Sequence, residues 1–181
     1  MENAQRIATV SRRLRFICIG LLFVLPALNA VFWIFFNQIY SVPGIQSTIP
    51  MPVPVKHPLS ELTRFLAFVI GLIPLGATLY GVQRLRELFS LYESGSIFKE
   101  RNVGCIRRLG WTLIVWVVCE KARWSLLSIV LTLENPPGQR LLVVSFNGQD
   151  FTWVFVGIVV LTVSWVMDEA RKLQEEQALI V

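Results

Sequence analysis

Histidine and cysteine are scarce in this sequence, and charge is thin. His57 is the only histidine among 181 residues, which excludes a multi-histidine metal site within one copy. The three cysteines, Cys18, Cys105 and Cys119, have neither a CxxC spacing nor an even count, so they read as unlinked thiols. A glycine-rich phosphate loop is lacking as well. Gly71, Gly76 and Gly81 fall inside an apolar run, where close packing of membrane helices explains them. No nucleophile frame surrounds His57, whose proline-rich neighbours suggest an exposed loop. Glu175 and Glu176 are adjacent and diverge around a helix, so a solvated acidic face explains them better than paired catalytic carboxylates. The expectation is a non-enzymatic protein with no catalytic residues, no metal and no cofactor.

What is present is apolar and blocked. Charged residues make up 16% and apolar residues 54%, against roughly 25% and 45–50% in ordinary soluble domains. A bilayer core needs about 20 consecutive apolar residues per helix, and four blocks approach this: about 16–36, 62–82, 109–133 and 151–167. The first is too long for the apolar region of a secretory signal, roughly 7–15 residues, because it continues through Val31-Phe32-Trp33-Ile34-Phe35-Phe36. Pro26 and Pro74 predict bends in the first two spans.

Between the first two blocks, Pro50-Met51-Pro52-Val53-Pro54 forces an extended path and excludes helix. Ser60 is placed to cap the helix that follows. The connector 83–108 begins with Leu85, Leu88, Phe89 and Tyr92 at helical spacing and ends that pattern at Gly95. It is either an extension of the second helix or an amphipathic helix on the membrane surface. After the third block come a Pro136-Pro137-Gly138 turn, a run Leu141–Phe146 that reads as a short strand, and an Asn147-Gly148 turn.

Lysine and arginine orient the spans. Four lie in the amino-terminal arm, six in the 83–108 connector and two in the tail 168–181, against Lys56 and Arg140 in the other two connectors. The positive-inside rule then places both termini and the middle connector in the cytoplasm. Trp33, Trp111, Trp153 and Trp165 fall near block ends, as an interfacial belt requires. The same asymmetry accounts for the net charge of +5 without direct nucleic-acid binding. The expected fold is therefore all-α: one membrane domain over 1–181, a bundle of four transmembrane helices in a bacterial inner membrane, with short extracytoplasmic strands.

The third block is the exception, because Glu120, Lys121 and Arg123 interrupt it. Three charges at a helix centre cost roughly 8–10 kcal/mol on insertion scales, about what the apolar residues of the block return. This helix needs partners. Glu120 and Arg123 are three apart and share a face, Lys121 points elsewhere, and Asn29 of the first helix lies at a similar depth. Two readings stand: an intramembrane polar site for an ion, proton or signal, or a structural ion pair locking helices within one bundle or across a homodimer.

The cytoplasmic side offers a second candidate. Lys99, Arg101, Arg107 and Arg108 form a basic cluster beside the membrane, and the tail carries Asp168, Glu169, Glu175 and Glu176. Lipid headgroups explain the bases in part. The sharper expectation is that the tail docks on the connector, or that a cytoplasmic protein competes for that place.

Two stretches also carry a resemblance. Gly95-Ser96-Ile97-Phe98, Asn102-Val103 and Ile106-Arg107-Arg108-Leu109-Gly110 resemble the middle connector of a bacterial membrane family, and Leu173-Gln174-Glu175-Glu176-Gln177-Ala178-Leu179-Ile180-Val181 resembles its carboxyl end. This is domain-of-unknown-function family 2975. The resemblance implies a small four-helix inner-membrane protein and, as partner, a short helix-turn-helix regulator encoded beside it. It implies no activity. A protein that senses or sequesters such a regulator is the leading expectation, with a small transporter or channel subunit using Glu120 and Arg123 as the alternative.

Overall fold

Each apolar block falls mostly within a helix longer than itself, the first and third running two residues past the helix end. The computed structural model describes residues 2–55, 58–95, 99–133, 135–136 and 138–179. Its elements are α1 (Glu2–Ile34), α2 (Phe36–Tyr40), α3 (Ile45–Thr48), α4 (Glu61–Glu93), α5 (Glu100–Leu131) and α6 (Gly148–Leu179). Lys56, His57, Ser96–Phe98, Pro137 and the Ile180–Val181 end lie outside the described residues. Helices α1 and α4 continue through Pro26 and Pro74.

Among the described residues, three helices are long and apolar enough to cross a membrane: α1, α4 and α6. Helix α5 is as long, but Glu120, Lys121 and Arg123 sit in its middle. The connector 83–108 resolves into its first alternative, since α4 runs on to Glu93. It stops there because Gly95 takes φ +76°, a left-handed turn that glycine adopts without strain. At its other end the backbone N–H of Thr63 donates to Ser60 Oγ at 3.3 Å, the cap expected there.

The expected strands do not form. Residues 139–147 are neither strand nor helix, and no strand occurs among the described residues. The cause is tertiary: Leu141 N–H donates to Thr132 Oγ1 at 3.2 Å and Val143 N–H to Ser128 Oγ at 3.0 Å. Two hydroxyls, one on α5 and one just past its end, satisfy the donors that a neighbouring strand would otherwise take.

The chain folds as two compact units, one of Met1–Phe23, Ala77–Val117 and Gly148–Val181, the other of Val24–Gly76 and Val118–Asn147. The second unit has an aromatic core. Helix α1 breaks at Phe35, and Trp33, Phe36 and Tyr40 then stack in sequence with centroids 5.1 and 5.2 Å apart. Val53, Leu59, Ala67, Leu127 and Leu131 close around them. Asn37 fastens the proline-rich connector by donating to the Leu59 carbonyl and accepting from its N–H, both at 3.0 Å. Arg64 covers the freed carbonyl of Ile34 at 2.9 Å.

In the first unit, α5 and α6 cross where two glycines meet. A Cβ on Gly110 would lie 3.1 Å from the Gly157 carbonyl oxygen, and one on Gly157 would lie 3.1 Å from that of Gly110. Only glycine at both positions allows backbones this close. Trp116 and Trp153 meet edge to face on the same pair of helices, 5.9 Å apart.

Candidate functional site

The first candidate is the charged centre of α5. Glu120 and Arg123 are one turn apart, and both side chains are mostly buried, at 21% and 24% exposed. Arg123 Nε donates to Glu120 Oε2 at 2.9 Å and its terminal nitrogen donates to Oε1, making the pair bidentate. Trp124 Nε1 adds a third donor to Oε1 at 3.0 Å, and the guanidinium lies 5.2 Å from the Trp124 ring centroid. Both carboxylate oxygens are therefore engaged. Lys121 leaves on another side, its ammonium 5.8 Å from the Phe146 ring, a cation–π arrangement. Asn29 is held on α4, donating to the Phe68 carbonyl at 3.5 Å. Its Oδ1 occupies the space a Cβ on Gly71 would need. The structure thus joins Glu120 and Arg123, adds Trp124, and gives Asn29 polar contacts on α4.

The second candidate lies in the first unit, where ion pairs link successive helices. Arg12 and Arg15 of α1 reach Glu93 at the end of α4, at 2.8 and 3.2 Å. Glu87 of α4 is shared by Arg84, at 2.7 Å, and Arg101 of α5, at 3.2 Å. Arg107 of α5 reaches Asp168 of α6 at 3.5 Å. Partial burial acts to raise the Glu87 carboxyl, and the bonds and charges of Arg84 and Arg101 outweigh it, holding Glu87 below the ordinary carboxylate range. Asp168 is lowered in the same way, desolvation being overcome by Arg171 and Lys172 of its own helix. Burial pushes the Cys105 thiol up, and nearby Glu87 adds to this.

The predicted surface residues divide accordingly. Arg101 and Arg107 are drawn into the ladder, while Lys99 and Arg108 are exposed. Among the described residues, Asp168 is the tail acid that pairs with the connector. Glu175 pairs with Arg171 at 2.6 Å within α6, and Glu176 is exposed. Glu87 and Glu93, which organise the ladder, are not among the residues singled out from the sequence. They are the only acids between Arg84 and Lys99, and that isolation within a basic connector is the signal that marks them.

A cleft of about 460 Å³ opens beside the ladder, lined by Glu87, Glu100, Arg101, Gly104, Cys105 and Arg108. Among the described residues no group of three or more His, Cys, Asp or Glu side chains is placed to hold a metal ion. The family described as "Protein of unknown function (DUF2975)" matches residues 23–181. No curated protein and no solved structure matches the chain.

Proposed function

We propose a function from the premise that the chain belongs to the DUF2975 family: it is a four-span protein of a bacterial inner membrane that holds a cytoplasmic partner, a helix-turn-helix regulator, at the membrane. Both termini and the 83–108 connector face the cytoplasm in this reading. One observation carries it. The amino-terminal arm, the connector and the tail, the three segments that hold twelve of the seventeen basic residues, all belong to one compact unit. Their ends are joined by the Glu93, Glu87 and Asp168 ion pairs, while Lys99, Arg108, Glu169, Glu175 and Glu176 remain exposed. An ordered, charged and exposed surface of this kind suits reversible recognition by electrostatic complementarity.

Transport through the third span is the weaker reading. A proton or ion site favours a carboxylate open to exchange, and Glu120 already accepts three hydrogen bonds, from Arg123 and Trp124, out of about four it can take. A locking role accounts for them.

Co-expression with the neighbouring helix-turn-helix protein tests the proposal. The regulator is expected in the membrane fraction with the full chain, and in the soluble fraction when the chain ends before Glu169 or carries Glu175→Lys with Glu176→Lys. Equal recovery with all three chains, each still membrane-bound, would refute it.

A further inference from the structure

Arg101, Gly104, Arg108, Trp111 and Val115 follow one another at intervals of three and four along α5, so they form a single stripe on that helix. The stripe changes character midway. Its first half is basic and belongs to the cleft with Glu87 and Glu100. Its second half is apolar yet open, with Trp111 56% and Val115 50% exposed. The change falls at Arg108–Leu109, where the third apolar block begins.

Charge around the cleft is unmatched. Arg84, which lies outside the cleft lining, and Arg101 share the single carboxylate of Glu87, and Arg108 makes no ion pair among the described residues. Counting Glu100 and Arg84, three guanidiniums meet two carboxylates in this cluster. The floor is notched as well, since a Cβ on Gly104 would meet nothing within 4 Å. Water would solvate the arginines but leave Trp111 and Val115 uncovered. A zwitterionic lipid would cover those two, but its ammonium would return the positive charge that its phosphate neutralises. Basic pockets between membrane helices on the cytoplasmic side suit anionic lipid headgroups, and an exposed tryptophan at the boundary suits the acyl region just above them.

We infer that this stripe is a binding site for one anionic phospholipid of the cytoplasmic leaflet. Its phosphate lies between Arg101 and Arg108 over Gly104, and an acyl chain runs along Trp111 and Val115. The inference rests on the membrane reading above, and not on the regulatory one.

The test reconstitutes the full chain in phosphatidylcholine vesicles with a minor fraction of phosphatidylglycerol, with bromines on the acyl chains of one lipid or the other. Brominated phosphatidylglycerol should quench tryptophan fluorescence beyond its mole fraction. Trp111→Phe should remove that excess. Arg108→Gln should lower the preference about fivefold, the equivalent of ~1 kcal/mol for one basic residue near an anionic surface. Gly104→Leu should lower it too, by filling the notch without changing a charge. Quenching that tracks mole fraction, or an excess that survives any of the three substitutions, overturns the inference. Carbonate extraction separates the two readings: a chain released by carbonate defeats the membrane reading, whereas a retained chain without lipid preference defeats this one alone.

Discussion

At the scale of single residues, Glu120 and Arg123 are where sequence and structure press hardest on each other. Two charges in an apolar helix are tolerable only if each satisfies the other, and the bidentate geometry with Trp124 closing the third position does so. The physical consequence is an asymmetry between losing one partner and losing both. Arg123→Leu leaves a mostly buried carboxylate with only Trp124, and should destabilise the fold by on the order of 3 kcal/mol, in the range for breaking a buried pair from one side. Replacing both residues by leucine removes the two desolvation penalties together and should restore most of that loss. Unfolding by sodium dodecyl sulfate in mixed micelles, followed by circular dichroism, measures the two variants side by side. If the double variant is as unstable as Arg123→Leu, the pair is not a mutual lock.

At the scale of elements, much of the helical layout was legible, and the reasons differ from place to place. Ser60 and Gly95 could be read as the start and stop of α4 because capping chemistry is local, and both hold. The apolar blocks located the long helices but not their ends, since hydropathy reports on solvent and not on backbone hydrogen bonding. In the tail the alternation of acids and bases supplies what hydropathy lacks and reads as a helix extension, and α6 runs through it to Leu179. Leu141–Phe146 has a pattern that fits a strand, while the partners that satisfy its backbone, Ser128 on α5 and Thr132 just past its end, are a tertiary fact. The glycines show the same divide. Gly71, Gly76 and Gly81 drew attention by clustering, yet a Cβ on Gly76 would meet nothing within 4 Å. Gly71 and Gly81 do face side chains of neighbouring helices, Asn29 and Thr112, but the close approach of two backbones belongs to Gly110 and Gly157, 47 positions apart. Gly157→Ala would set a methyl 2.9 Å from Ile114 Cγ1 and 3.1 Å from the Gly110 carbonyl oxygen, forcing α5 and α6 apart. Overpacking of this kind costs roughly 1–3 kcal/mol. Gly76→Ala should cost nothing measurable or stabilise slightly, since alanine favours the helix. The same micelle titration compares them, and equal effects at the two positions would contradict the crossing.

At the scale of the molecule, the ion-pair ladder was the least legible part, because it joins residues of four helices that are far apart in sequence. Counting arginines showed where charge accumulates. It did not show that Glu93, Glu87 and Asp168 each take arginines from a neighbouring helix. Exposed pairs of this sort add little stability individually, so the ladder's effect is to fix which helix ends lie together. Its dependence on pH has a definite sign. Despite partial burial, Glu87 is held below the ordinary carboxylate range by Arg84 and by Arg101 across the helix gap, so the folded state favours its ionised form. Its contribution is complete above the ordinary carboxylate pKa, about 4, and is lost as pH falls through the lowered folded value. Hydrogen exchange over residues 84–95 and 99–108, corrected for intrinsic rates, should be the same at pH 7 and pH 5 and should accelerate only below about pH 4. Glu87→Gln should exchange faster at pH 7 and lose part of the acid response, because the carboxylate that Arg84 and Arg101 share is then absent at every pH. An acid response unchanged in Glu87→Gln would place the titrating groups elsewhere and remove the ladder as the device that aligns these helix ends.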